Sequence, residues 1–279
     1  MKQSKEKVAC PVCGASAPFA HQHPQAAIYR CSHCTHVFTD PDSIESFEDY
    51  GEDYYEDAHK NWFENPNVSL FKWITANLGS NPESVIDVGS GKGDLLRHIR
   101  ETGVARRLVG VDLSELRSHH GIEYIRGDIL TTRFDERFDA VVSLAVIEHV
   151  REVRDFTLRL FDLCKPGGRV IVMTVNDSGV LYRLGRLGKK LGVPVAFDRL
   201  YGVHHLHHFT PESLQWLLRE AGLQVVKVHN HNTPLKAIDA PASNVFSTAI
   251  LKVGVAAAYA VGSALNSSYL QTVVAKVPS

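Results

Sequence analysis

Val85-Ile86-Asp87-Val88-Gly89-Ser90-Gly91-Lys92-Gly93-Asp94 decides the fold of this 279-residue chain. An apolar run ends on a carboxylate, three glycines follow at alternate positions, and helical spacing takes over at Leu95, Leu96, His98 and Ile99. The pattern predicts a buried strand, a tight turn and a helix start, with glycine where a ligand must approach bare backbone. A dinucleotide fingerprint would place its third glycine five positions after the first; here Gly93 falls four after Gly89, and position five is Asp94. An acid at the helix N-terminus is a poor neighbour for a pyrophosphate. An acid just before the glycines suits a ligand that carries a cationic amine.

The units downstream repeat this logic. Leu108-Val109-Gly110-Val111-Asp112 is a second apolar strand ending in an acid, placed to grip ribose hydroxyls, and Leu113 follows it. Ile122-Glu123-Tyr124-Ile125 leads to Arg126-Gly127-Asp128-Ile129, where an acid beside an aliphatic side chain could hold an adenine. Phe138–Leu144 is almost wholly apolar and reads as a strand buried on both faces. Lys165-Pro166-Gly167-Gly168 punctuates before a fifth strand, Arg169 to Val175. Strands alternating with helical segments predict a parallel sheet, whose ligands bind at the carboxyl ends of the strands, where Asp87, Asp112 and Asp128 all fall. Any one of these acids could be a helix cap or a loop carboxylate; three in register after successive strands argue for a ligand site, and the glycine spacing with Asp87 and Asp94 favours S-adenosylmethionine over NAD.

On these residues, together with Ile147-Glu148-His149-Val150 and Leu163-Cys164-Lys165-Pro166-Gly167-Gly168, residues 83–279 resemble a class I S-adenosylmethionine-dependent methyltransferase. The resemblance implies an α/β, Rossmann-like seven-stranded sheet closed by Leu223–Val228 and an antiparallel last strand, Leu270–Lys276. The candidate cofactor-binding set is Asp87, Gly89, Ser90, Gly91, Gly93, Asp112, Leu113, Asp128, Ile129 and Ser143.

Cys10-Pro11-Val12-Cys13-Gly14 and Cys31-Ser32-His33-Cys34 give C-x2-C, a gap of 17, and C-x2-C. This spacing is that of two knuckles around one tetrahedral zinc; four thiolates leave no open position, so such a zinc is structural. The competing reading is two disulfides. Met1 to Val8 is polar and resembles no signal peptide, so a cytoplasmic chain with a metal site is expected. His21, His23, His33 and His36 crowd the ribbon as substitute ligands. Cys164 stands alone and is expected to be packed. The order of ribbon, then Tyr50-Gly51-Glu52-Asp53-Tyr54-Tyr55, then methyltransferase core resembles a bacterial family of zinc-ribbon methyltransferases. The resemblance implies that the tyrosines clasp the cofactor mouth.

The expected organisation is a zinc ribbon at 1–40, an acidic linker and covering helix at 41–80, and a methyltransferase domain at 81–279. Charge is nearly balanced at −1, and nine acids lie between Asp40 and Asp57 without a Lys or Arg, which argues against nucleic acid as partner. An insert at 176–209 is the expected acceptor-recognition element. It carries Leu181, Leu184, Leu187 and Leu191 with Arg183, Arg186, Lys189 and Lys190, and no acid between Asp177 and Asp198, which reads either as a solvated lid or as attraction of an anionic acceptor. Thr210 and Pro211 start a helix that Gly222 ends. The apolar stretch 245–264, inside a helical insert at 240–266, is long enough to raise a membrane span, but a packed helix is the preferred reading over membrane contact.

Methyl transfer from a sulfonium is an in-line displacement that needs alignment, exclusion of water and, for some acceptors, a base. The catalytic candidates are His149, Glu148, His204 and His208, with His205 and His207 beside the last two. Glu148-His149 could equally be a start signal for a helix over Arg151–Leu163. The segment Ala145-Val146-Ile147-Glu148-His149 resembles the E-x-x-E-H of quinone-biosynthesis O-methyltransferases, a pattern associated with a divalent metal, but alanine stands where that pattern begins with an acid. The expected function is methylation of a small molecule, a saccharide or natural-product intermediate. The alternatives are an RNA base methyltransferase with a zinc-ribbon docking module and a non-catalytic cofactor-binding adaptor.

Overall fold

A computed structural model describes residues 5–44, 60–114, 118–238 and 245–279. Tyr50, Tyr54 and Tyr55, expected to clasp the cofactor, lie outside the described residues, as does most of the acidic run. In chain order the strands are β1 Lys7–Ala9, β2 Ser16–His23, β3 Ala26–Arg30, β4 Val37–Thr39, β5 Ser84–Val88, β6 Arg107–Asp112, β7 Glu123–Arg126, β8 Phe138–Leu144, β9 Cys164–Val175, β10 His207–His208, β11 Gln224–His231 and β12 Leu270–Lys276. The helices are α1 Lys60–Glu64, α2 Val68–Thr75, α3 Asp94–Thr102, α4 Val153–Leu163, α5 Val180–Lys190, α6 Val195–Leu200, α7 Pro211–Glu220 and α8 Val245–Ala264.

The chain divides into two compact units. One comprises Asn67–Thr174, Leu214–His229 and Thr272–Ser279. It carries the body of a seven-stranded sheet with the order β11-β12-β9-β8-β5-β6-β7. Strands β5, β6, β7, β8 and β9 pair in parallel, and β11 and β12 are neighbours at the closing edge. The central strands are apolar on both faces because both are covered: Val85, Ile86, Val109, Val141, Val142, Val170 and Ile171 are fully buried. Helix α3 covers the sheet with Leu95, Leu96 and Ile99, and α4 buries Val153, Phe156, Thr157, Leu160 and Leu163 at helical spacing. Helix α4 starts two residues later than expected, and β9 starts earlier, at Cys164. The Pro-Gly-Gly that reads as a break is a strand irregularity instead. Gly167 takes φ +79° and its N–H donates to Val277 O at 2.9 Å, while Val277 N–H donates to Gly168 O at 3.2 Å. Cys164 is buried, as expected of a packed thiol.

The other unit comprises Met1–Pro66, Val175–Ser213 and Asn230–Gln271. Its sheet has the order β1-β2-β3-β4-β10, so two residues of the insert, His207 and His208, join the N-terminal ribbon as a fifth strand, antiparallel to β4. The join is specific. Thr39 N–H donates to Leu206 O at 2.9 Å, and the Oγ1 atoms of Thr35 and Thr210 lie 2.6 Å apart. His36 Nε2 meets His207 Nδ1 at 3.0 Å in a fully buried pair. A second tie is ionic: Asp177, fully buried, accepts from Arg186 Nη1 at 2.9 Å and from the Tyr201 hydroxyl, with Arg30 Nη1 3.6 Å away. Burial holds the Asp177 carboxyl above the ordinary range while Arg186 pulls it down. Helix α8 packs on α5, and no helix among the described residues is long and apolar enough to cross a membrane.

Candidate cofactor site and cysteine cluster

The glycine turn hangs on the end of β6. The N–H groups of Gly89 and Ser90 both donate to Val111 O, at 2.8 and 3.2 Å, and Gly93 N–H donates to Ser90 O at 2.8 Å. Gly89, Gly91 and Gly93 take φ of +76°, +51° and +76°, a left-handed backbone that other residues adopt at a cost. Gly91 N–H donates to Asp112 Oδ2 at 2.8 Å, and the other oxygen, Oδ1, accepts from Ser114 N–H at 2.9 Å and Ser114 Oγ at 2.6 Å. The acid at the end of β6 thus fixes the turn at the end of β5.

Two of these glycines are also closely packed by the protein itself. A Cβ on Gly89 would lie 2.1 Å from Val146 Cγ2, and one on Gly93 would lie 2.0 Å from the Tyr124 hydroxyl. At these positions the bare backbone accommodates the protein's own side chains. Gly110 does the same inside β6, where a Cβ would come within 2.7 Å of Tyr124 Cδ1 and 2.8 Å of Ser90 Oγ.

Asp87 is 3% exposed, and burial together with the charge of Asp112 pushes its carboxyl up to about 7. Its Oδ1, Ser90 Oγ and Ser143 Oγ are buried without a hydrogen-bond partner. Native proteins leave few such atoms unpaired, so three on the carboxyl ends of adjacent strands and the turn between them are what a polar ligand would satisfy. Leu113, 65% exposed, is an apolar surface next to Asp112. Asp128 is exposed, its Oδ1 capping the local turn by accepting from Leu130 N–H at 2.9 Å, while Ile129 is buried. These donor and acceptor groups fit a nucleoside with a cationic amino-acid tail. Asp94, at the N-terminus of α3, pairs with Arg97 and so keeps the first turn of that helix locally neutral.

Beyond β8 the backbone is strained. Ala145 takes φ +55°, unusual for a residue with a Cβ, and its N–H donates to Met173 O at 2.9 Å. The Ala-Val-Ile-Glu-His segment therefore turns sharply off the sheet. Glu148 is 2% exposed, accepts from Thr174 Oγ1 at 2.8 Å, and is pushed up to about 7 by burial. His149 is half-buried, its N–H donating to Val146 O at 2.9 Å. His204 and His208 belong to the other unit. His208 is fully buried, its ring 4.5 Å from that of Tyr201 and its Nδ1 3.4 Å from the Tyr182 hydroxyl, while His204 is half-buried.

The cysteine sulfurs of Cys10, Cys13, Cys31 and Cys34 lie within 4.8 Å of one another. The closest pairs, Cys10 with Cys34 at 3.6 Å and Cys13 with Cys31 at 3.5 Å, are too far apart for disulfides. They are near the edge of about 3.8 Å that four sulfurs make around one zinc. Gly14 (φ +75°) closes the first knuckle, and Thr35 (φ +63°) takes the same left-handed position in the second. No histidine joins this cluster among the described residues. The hydrogen bond from Cys10 lowers the pKa of the Cys34 thiol, which favours its thiolate form.

Sequence reasoning missed Tyr124, Val146, Ser114 and Thr174, all of which shape this site. The glycine at 110, in the middle of an apolar strand, was the one signal that a neighbour approaches there.

Asp87 and Glu148 both carry raised pKa values in the folded chain, so each binds its proton more tightly folded than unfolded. Their stabilising contribution is complete below about pH 4 and is lost as pH rises through about 7. Urea unfolding of the ligand-free protein should show a midpoint that falls between pH 5.5 and 8, a range set by these shifts, at roughly the values stated. Glu148→Gln should flatten the dependence, and an unchanged slope in that variant would contradict the assignment.

The comparisons with known proteins agree with this geometry. The family described as "Methyltransferase domain" (Methyltransf_23) matches residues 62–228. The ubiquinone biosynthesis O-methyltransferase of Burkholderia pseudomallei (strain 1710b) is 29% identical over 208 residues, covering 68% of this chain and 85% of that protein. Among solved structures, Haemonchus contortus phosphoethanolamine N-methyltransferase 2 with S-adenosyl-L-methionine superposes with a TM-score of 0.56 at 17% identity, covering 87% of this chain and 62% of that one. The 1,6-didemethyltoxoflavin-N1-methyltransferase of Burkholderia thailandensis gives 0.50 at 15% identity, covering 94% and 99%. With the glycine turn, the strand-end acids and a family match over more than half its length, the chain belongs to the methyltransferase-domain family and is an S-adenosylmethionine-dependent methyltransferase.

Proposed function

We propose that this enzyme methylates an oxygen of a small molecule, a saccharide or natural-product intermediate. The observation that carries the cofactor half of this reading is the set of unpartnered buried atoms, Asp87 Oδ1, Ser90 Oγ and Ser143 Oγ, beside the Asp112–Gly91 contact. The similarity to O-methyltransferases of ubiquinone biosynthesis supports a small hydroxylated acceptor.

S-adenosylmethionine supplies an activated methyl group on a sulfonium. Asp112 would accept from ribose hydroxyls with the lone pairs its backbone donors leave, Asp87 would face the amine, and Asp128 with Ile129 would take the adenine. Leu113 offers the nucleoside an apolar contact. Glu148, with a pKa of about 7, can take a proton from an acceptor hydroxyl at neutral pH, and Thr174 fixes its orientation. His149, one residue on, is the second candidate base.

The ribbon cysteines are proposed to hold one structural zinc. Through β10 and the His36–His207 pair, the folded ribbon then fixes the insert that carries His204 and His208. Metal analysis should find about one zinc per chain, as a four-thiolate site requires. Cys10→Ser with Cys34→Ser should lose it, lowering the thermal midpoint; an unchanged midpoint with no zinc in wild type would refute the site.

Transfer of labelled methyl from S-adenosylmethionine tests the function. Label is expected in hydroxylated small-molecule fractions, with the rate rising through about pH 7 and Glu148→Gln losing that rise. Label entering RNA instead, or a pH profile that Glu148→Gln leaves intact while His149→Ala abolishes it, would overturn the acceptor class or the base respectively.

A further inference from the structure

Helix α5 is turned apolar side out at its C-terminal half. Tyr182 and Gly185 are buried and Arg186 points inward to Asp177, whereas Leu184 and Leu187 are 48% and 51% exposed. Leu191, next on the same helical face, is 73% exposed. The chain then runs Leu191-Gly192-Val193-Pro194-Val195-Ala196 with every residue exposed, Val193 at 62% and Val195 at 65%. Phe197, fully buried, returns it to the body.

This tip is built. Val193 N–H donates to Gly188 O at 2.8 Å, Gly192 takes φ +81°, and Asp198 N–H donates to Pro194 O at 2.9 Å. Helix α6 closes on α5 at Gly185, where a Cβ would lie 3.0 Å from Leu200 Cδ1. A hydrogen-bonded turn with this many exposed apolar side chains is uncommon on a protein that meets only water.

The exposed charges within this segment are predominantly basic. Arg183, Lys190 and Arg199 are exposed. No acid lies between Asp177 and Asp198; Asp177 is fully buried, and Asp198 faces Lys189 at 3.9 Å. Lys189 lies over the Phe197 ring at 4.0 Å, so its stem sheathes the base of the protrusion. Helix α8, packed on α5, also exposes apolar side chains, with Val253 at 70% and Val261 at 49%, and Leu265 just beyond its end is 67% exposed.

We propose that the α5–α6 tip, Leu184 to Ala196, is a docking surface for an anionic lipid bilayer. Leu187, Leu191, Val193 and Val195 enter the boundary between headgroups and acyl chains, and Arg183, Lys190 and Arg199 meet the lipid phosphates. Charge selects this occupant over a second copy of the chain: the exposed bases Arg183, Lys190 and Arg199 outnumber the one acid beside them, Asp198, which faces Lys189, so the face meets itself across a two-fold axis with like charge. The assignment does not rest on the methyl acceptor, since it concerns where the enzyme resides.

Co-sedimentation of the full-length protein with vesicles tests it. The protein is expected to pellet with vesicles of phosphatidylglycerol and phosphatidylcholine, weakly or not at all with phosphatidylcholine alone, and less as salt is raised. Val193→Glu with Val195→Glu should weaken binding about tenfold or more, and Arg183→Glu with Lys190→Glu comparably. Unchanged thermal unfolding of both variants would show that the loss is not misfolding. No binding at low salt, or binding that neither pair alters, overturns the proposal. A wild-type dimer in sedimentation velocity that Val193→Glu with Val195→Glu disperses, without vesicle binding, overturns it in favour of self-association.

Discussion

The hydrogen bond from Gly91 N–H to Asp112 Oδ2 is the contact on which the cofactor half of this enzyme depends. A turn with three residues at positive φ has few internal bonds to hold it, and its conformation must be imposed from outside. Here the end of β6 imposes it twice, through the Val111 carbonyl that accepts from Gly89 and Ser90 and through the Asp112 carboxylate. Burial, and then the charge of the same carboxylate, raises the pKa of Asp87 on the next strand. Two acids and a strained turn thus constrain one another before any ligand arrives, which is preorganisation in the sense that matters for binding a charged cofactor.

The N-terminal ribbon has its own logic. Residues 26–39 alone would make a small sheet with an open edge, and the chain covers that edge with β10, some 170 residues later. Because β10 is the histidine-rich end of the insert, the four-cysteine cluster and the insert share one folded unit. The buried Asp177, gripped by Arg186 and approached by Arg30, adds an ionic tie between the same two segments. Such a pair is costly to break, since either lone charge would be left buried.

How much of this the sequence discloses follows from the range of each interaction. The central strands were legible because continuous apolar runs of that length are buried on both faces. The strand-end acids were legible because they repeat, and the cysteines because C-x2-C spacing has few other uses. Helix α7 could be read from Thr210, whose Oγ1 accepts from Ser213 N–H at 3.1 Å, and from Gly222 at φ +87°. What escaped reading is long-range. Nothing local says that His207 pairs with Phe38, that Tyr124 lies against Gly93, or that Val146 covers Gly89. The glycines alone do not distinguish these cases, because a residue that must lack a Cβ looks the same whether a ligand or a tyrosine is the neighbour. The apolar stretch in α8 raised a membrane span by length, and no described helix is apolar enough for one. The exposed apolar tip after α5 was hidden because leucines at helical spacing ordinarily face a core.

The most direct test of the central claim is calorimetric titration of the full-length protein with S-adenosylmethionine, wild type against Asp112→Ala. The account predicts saturable binding by wild type and a loss of about tenfold to hundredfold in the variant, the scale expected when a charged hydrogen-bond partner and its hold on the glycine turn are removed together. Folded wild type that does not bind, or a variant that binds as tightly as wild type, would contradict it.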